Sequence, residues 1–147
     1  MKNKFLLFLG LLISGSAICA TENESEMSMS EKLVANYKIY SVAQCITHNY
    51  ASMGVDFSKL KLKDYTMGFI DLEDGLAFNA KPDNALNAFI NSKTGHFYQP
   101  KQPEGDLAAA NLVIYQCVEF SQSKELDIFL TDLILKKTQI METTANP

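Results

Sequence analysis

Between residues 28 and 53 apolar side chains recur at three- and four-residue spacing. Ala35, Ile39, Val42, Ile46 and Met53 form one strip, and Leu33, Tyr37 and Tyr40 form a second. That is the helical period, and a helix apolar on two sides belongs at the centre of its fold. Ser28 and Glu31 make a capping-box pair at its start, and Gly54 suits the left-handed position that stops it. A second helix is expected over residues 58–77, where Tyr65, Phe69, Leu72 and Leu76 make one continuous stripe. Gly68 and Gly75 weaken it, each by up to about 1 kcal/mol relative to Ala. A short third helix follows Pro82, a residue suited to a first turn, with Leu86, Phe89 and Ile90 on its inner side. The fourth, over 107–120, is apolar almost all round and reads as interior. Ser123 caps a fifth, with Glu125 and Asp127 in the positive first turn and Lys136 and Lys137 at the carboxyl end. Leu126, Phe129, Leu130, Leu133 and Ile134 form its buried stripe. No segment alternates as a strand does. The expected fold is all-α: a single domain of about five helices, with a long loop between the third and fourth.

That loop, "NSKTGHFYQPKQPEGD" over residues 91–106, is the only long stretch rich in Gly and Pro. It carries the adjacent aromatics Phe97 and Tyr98. Aromatics on a loop are either tucked onto the core or presented to a partner, and the pattern alone leaves both open.

The amino terminus changes the picture. Lys2 and Lys4 precede an apolar run over residues 5–13 broken only by Gly10, and small residues follow in "SGSAICA". This is the order of a secretory signal peptide, too short for a stable membrane anchor, with cleavage expected after Ala17 or Ala20. Residues 1–20 are therefore expected to be removed, leaving one domain over 21–147 whose ends, 21–29 and 141–147, are loosely held. Cleavage after Ala20 also removes Cys19. Cys45 and Cys117 remain, and in an oxidising compartment the simplest reading is one disulfide, Cys45–Cys117. It closes a loop of 72 residues, worth roughly 4 kcal/mol on chain entropy.

All 13 basic residues are Lys, set against 17 acidic ones for a net charge of −4, and loss of Lys2 and Lys4 takes it to −6. An acidic chain with no Arg argues against nucleic acid and against anionic lipid. Nothing after the signal is apolar for long enough to span a membrane. Chemistry-bearing residues are few. Cys45 and His48, three apart on a helix, with His96 and Cys117 make a conceivable zinc set, but neither His96 nor Cys117 has a second ligand at motif spacing. Cys45 with His48 is equally a conceivable thiolate and base, which a disulfide abolishes. "DLED", residues 71–74, has carboxylates pointing round the helix rather than converging, and reads as a solvated face. No cofactor, no metal and no enzymatic activity are expected.

One block is more specific. "QCVEFSQSKELDIFL", residues 116–130, resembles a motif near the carboxyl end of the type VI secretion amidase immunity proteins, roughly Lys-Cys-Ile-Asp-Leu-Tyr-His-Ser-Lys-Glu-Leu-Asp. Cys117, Val118, Glu119, Phe120, Ser123, Lys124, Glu125, Leu126 and Asp127 fall on it. "INSKTG", residues 90–95, is similar to the Ser-Lys-x-Gly turn that ends the preceding helix in that family. The resemblance implies a periplasmic, helical, typically dimeric protein that inhibits a cognate peptidoglycan amidase effector by placing a loop in its active-site cleft. Carried over by position, the partner-binding residues are Ser92, Lys93, Thr94, Gly95, His96, Phe97 and Tyr98, with the aromatic pair presented. The chain departs from the pattern in one respect: the family's Cys closely follows the turn glycine, whereas here residues 96–116 intervene. The alternative is a periplasmic helical binding or chaperone-like module without a toxin partner, working through its acidic face.

Overall fold

The computed structural model describes residues 27–76, 84–102, 104–105 and 108–145. The expected signal segment and Pro82 lie outside them. Ser28 opens the first helix as expected. Its hydroxyl accepts the Glu31 N–H at 3.2 Å, and the Glu31 carboxylate accepts the Ser28 N–H at 2.8 Å. The helix it caps, α1, runs Met29–Ser52, and Gly54 follows in the left-handed region at φ 88°. Four more helices follow among the described residues: α2 (Thr66–Asp74), α3 (Ala85–Thr94), α4 (Val113–Ser121) and α5 (Lys124–Ala145). No strand occurs among the described residues, so the all-α, single-domain expectation holds. α1 packs against each of the other four and is the axis of the fold.

The core lies where α1 meets these helices, and Tyr37, Tyr40, Cys45, Leu86, Ile90, Val113, Cys117, Leu126 and Leu130 are fully buried in it. Around them Phe89 stacks on Phe129 with ring centroids 3.9 Å apart. The Cys45–Cys117 disulfide joins α1 to α4 with a Cα–Cα distance of 5.8 Å.

Three helices differ from the sequence pattern. The expected helix over 58–77 is a 3₁₀ turn at Phe57–Lys59, a non-helical stretch, and then only the nine residues of α2. The reason is local. The Asp56 carboxylate takes the Ser58 N–H and hydroxyl, and the Asp64 carboxylate accepts the Thr66 N–H at 2.8 Å, so two separate caps replace one continuous helix. Gly75, at φ 69°, then ends α2. α4 starts at Val113, later than the pattern suggests, and it is not interior all round: Val113, Cys117 and Phe120 are buried while Ile114, Tyr115 and Val118 are exposed. α5 continues through Ala145, so Lys136 and Lys137 sit within it rather than at its end, and the expected loose tail is helical to that point. α3 is capped by Asn84, whose side chain accepts the Asn87 N–H at 2.6 Å.

The "DLED" carboxylates are not a solvated face. Asp71 is buried and accepts the Tyr37 hydroxyl at 2.8 Å, and Asp74 accepts the Asn36 amide at 3.1 Å, leaving Glu73 exposed. Burial, and then the Asp71 carboxylate, push the Tyr37 hydroxyl far above its usual 10.0, and the Tyr40 hydroxyl is pushed up to about 12 by burial and the Asp71 charge. The sign follows from linkage. Below pH 10 both tyrosines are neutral in both states, so this contribution to stability is complete. Above it the unfolded chain loses protons that the folded chain keeps, and stability falls as pH rises through about 12 by up to roughly 1.4 kcal/mol per pH unit for each tyrosine. Denaturant midpoints measured from pH 8 to 12 are expected to be flat to about 10 and then to drop, less steeply in Tyr37→Phe. A Tyr37→Phe profile as steep as the parent's would refute the assignment.

Candidate functional site

The segment after α3 begins as helix and not as loop. Ser92, Lys93 and Thr94 are the last three residues of α3. The Ser92 hydroxyl donates to the Phe89 carbonyl at 2.7 Å, and the Thr94 hydroxyl, fully buried, donates to the Ile90 carbonyl at 2.8 Å. Lys93 forms an ion pair with Glu125 of α5 and lies 5.7 Å from the centre of the Phe89 ring. The blocks "SKTG" and "SKELD" are thus joined through Lys93 and Glu125, each of them exposed enough for the pair itself to contribute little. Ser123 caps α5 as expected, its hydroxyl accepting the Leu126 N–H at 3.2 Å.

Gly95 ends α3, but with an ordinary right-handed φ of −64°. Its use is closeness: a Cβ there would stand 2.6 Å from the Asn91 carbonyl oxygen and 3.3 Å from the His48 ring nitrogen Nε2. Beyond it the chain turns tightly, with the Phe97 N–H on the Thr94 carbonyl and the Gln99 N–H on the His96 carbonyl. Phe97 and Tyr98 are half-buried and pack against the core, so of the two placements open in the sequence the chain takes the tucked one, and the presentation implied by the resemblance is not the geometry observed. His96 alone of the seven expected residues is exposed without serving the helix, its ring edge-on to Phe97 at 5.0 Å.

What fixes this segment is a residue sequence reasoning did not single out. Asn49, fully buried on α1, donates through Nδ2 to the Cys45 carbonyl at 2.9 Å and the Thr94 carbonyl at 3.0 Å, and accepts the Tyr98 N–H on Oδ1 at 2.9 Å. One amide therefore ties the end of α3, the following turn and the disulfide-bearing turn of α1. The only sequence signal was a polar residue on the buried side of an amphipathic helix. Past this point Gln99, Pro100, Lys101, Gln102 and Glu104 are exposed, with Gly105 at φ 87°. The arrangement is a hydrogen-bonded root, packed on the core, bearing an exposed, polar tip.

The remaining chemistry is sparse. The disulfide takes both thiolates that a zinc or nucleophile reading needs. Among the described residues no group of three His, Cys, Asp or Glu is placed to hold a metal ion, and no helix is long and apolar enough to cross a membrane. No known family model, no curated protein and no solved structure matches the chain.

Proposed function

We propose that this chain is a periplasmic immunity protein that binds a cognate type VI secreted peptidoglycan amidase and blocks its cleft with the exposed tip after α3. The reading draws on the resemblance of the Cys117 block, and one structural observation carries it: the double-ended grip of Asn49 on Thr94 and Tyr98. A segment whose root is already fixed loses less freedom on entering a groove than one that orders throughout as it binds. The working residues shift accordingly. His96 and residues 99–102 would meet the enzyme, while Thr94, Phe97 and Tyr98 hold the root. Binding through the acidic "DLED" face, as in a helical binding or chaperone-like module without a toxin partner, is less favoured because Asp71 and Asp74 are engaged within the fold.

The test leaves the root intact. Gln99, Pro100, Lys101 and Gln102 are replaced together by Ser, with Thr94 and Tyr98 unchanged. Binding to the amidase encoded by the adjacent gene is expected to weaken at least about thirtyfold, a hot-spot-sized loss, with a melting temperature within about 2 °C of the parent. Inhibition of peptidoglycan hydrolysis and protection of cells expressing the amidase in the periplasm should fail together. A variant that still protects fully would defeat the proposal.

A further inference from the structure

Between the 3₁₀ turn and α2 runs "KLKLK", residues 59–63, in which lysines alternate with leucines. Leu60 is 50% exposed and Leu62 88%, the highest value for a large apolar side chain among the described residues. Tyr65, at 73%, continues the series. The chain bends at residues 61 and 62, which leaves Leu62 at a turned-out apex. The ends of this loop are held. Asp56 accepts the Ser58 N–H and pairs with Lys59 at 3.2 Å, Phe57 sits edge-on to Tyr50 with ring centres 6.4 Å apart, and Asp64 accepts the Thr66 N–H. Apolar side chains scattered singly over a surface are ordinary; two leucines and a tyrosine carried outward together on a loop pinned at both ends mark a surface that is covered in use.

The lysines say by what. Of the 13 lysines, 11 remain after loss of Lys2 and Lys4, and three of them stand here. Asp56 offsets Lys59, and Thr66 takes up the Asp64 carboxylate, but among the described residues no ion pair engages Lys61 or Lys63. The net negative charge of the chain argues against an anionic surface for the molecule as a whole. Physiological salt, however, screens charges beyond about 8 Å, so those nearest the contact decide. Lysines beside exposed leucines suit a bilayer of anionic phospholipid: the ammonium groups stay at the phosphates while the leucines enter the acyl boundary. A folded acidic partner suits them less, since it would need a pit shaped to a lone projecting leucine, whereas a bilayer yields around it.

We infer that the 59–65 loop docks this chain on bilayer surfaces rich in anionic phospholipid, with Leu60, Leu62 and Tyr65 entering the interface and Lys61 and Lys63 meeting phosphates. The inference rests on this loop alone and is independent of the inhibitory reading.

Co-sedimentation of the oxidised, exported chain with vesicles tests it, comparing pure phosphatidylcholine with a mixture containing about one-third phosphatidylglycerol. Partitioning onto the anionic vesicles is expected to exceed that onto the neutral ones at least about tenfold, and to fall away in about 0.5 M salt. Leu60→Ser with Leu62→Ser should lower it at least about tenfold, and Lys61→Gln with Lys63→Gln by a similar factor. The control pair Lys124→Gln with Lys136→Gln should leave it unchanged. All these side chains are exposed, so circular dichroism should stay that of the parent. The chain has no Trp, so Leu62→Trp reports its own surroundings: its emission should move to shorter wavelength on anionic vesicles and stay put on neutral ones. Absence of binding to the anionic vesicles, equal binding to both kinds, or binding that both loop variants retain overturns the inference. Unmoved Leu62→Trp emission overturns the insertion. Loop variants that weaken amidase binding and leave vesicle binding untouched would place a protein on this loop, and overturn it as well.

Discussion

Replacing Cys45 and Cys117 together by Ala is expected to lower the unfolding free energy by about 4 kcal/mol, the entropy released when a 72-residue loop opens. For a chain of this size that corresponds to a fall in melting temperature of roughly 10–20 °C. The bridge joins the central helix to α4, which also buries Val113 and Phe120 in the core. Urea titration of the parent and the double variant measures the difference, and a loss under about 1 kcal/mol would show that the bridge constrains little. Both sulfurs are fully buried, so reductant alone should leave the native chain oxidised, and reduction should require denaturant.

The second large effect belongs to Asn49. In Asn49→Leu the Cys45 and Thr94 carbonyls lose a donor and the Tyr98 N–H loses its acceptor, all inside the protein. Groups stranded in this way cost about 1–3 kcal/mol each, so a total near 3–5 kcal/mol is expected, the carbonyls keeping their helical partners in part. Asn49→Asp retains the acceptor for Tyr98 but sets a carboxylate against two carbonyls, and it should fare no better. The diagnostic measurement is hydrogen exchange at the Tyr98 amide. Under native conditions it should speed in Asn49→Leu more than amides of α5, because the turn is released before the body unfolds. Uniform acceleration across the chain would mean that Asn49 stabilises the whole fold and does not specifically hold the segment that follows α3.

Legibility in the sequence followed the strength of the local signals. α1 was readable at both ends and α5 at its start, because caps at Ser28 and Ser123 coincide with long periodic stripes, whereas α5 runs on past the lysines expected to close it. α2 was misread for a physical reason: a stripe does not say which way it faces, and of the expected one Tyr65, Phe69 and Leu72 are exposed while Leu76, past the helix end, is buried. The deciding contact, Tyr37 with Asp71, is made between residues far apart in the chain, and a carboxylate reads as solvated until its partner is known. The same limit applies to the candidate site. The pairing of Cys45 with Cys117 was expected from the signal-like amino terminus and the cysteine count alone. The tucking of Phe97 and Tyr98 did not, since it depends on Asn49, a polar residue with no motif around it.

Along α1, Asn36, Tyr37, Tyr40, Gln44 and Asn49 each reach a polar group across the interface, at Asp74, Asp71, Asn87, Asn91 and Thr94 in turn. Greasy surfaces tolerate sliding; a row of matched donors and acceptors does not. Shifting the helix by a single turn would misalign every one of these rungs at once, so the spacing of five polar side chains works as a ruler that admits one alignment of α1 with α2 and α3 and penalises all its neighbours.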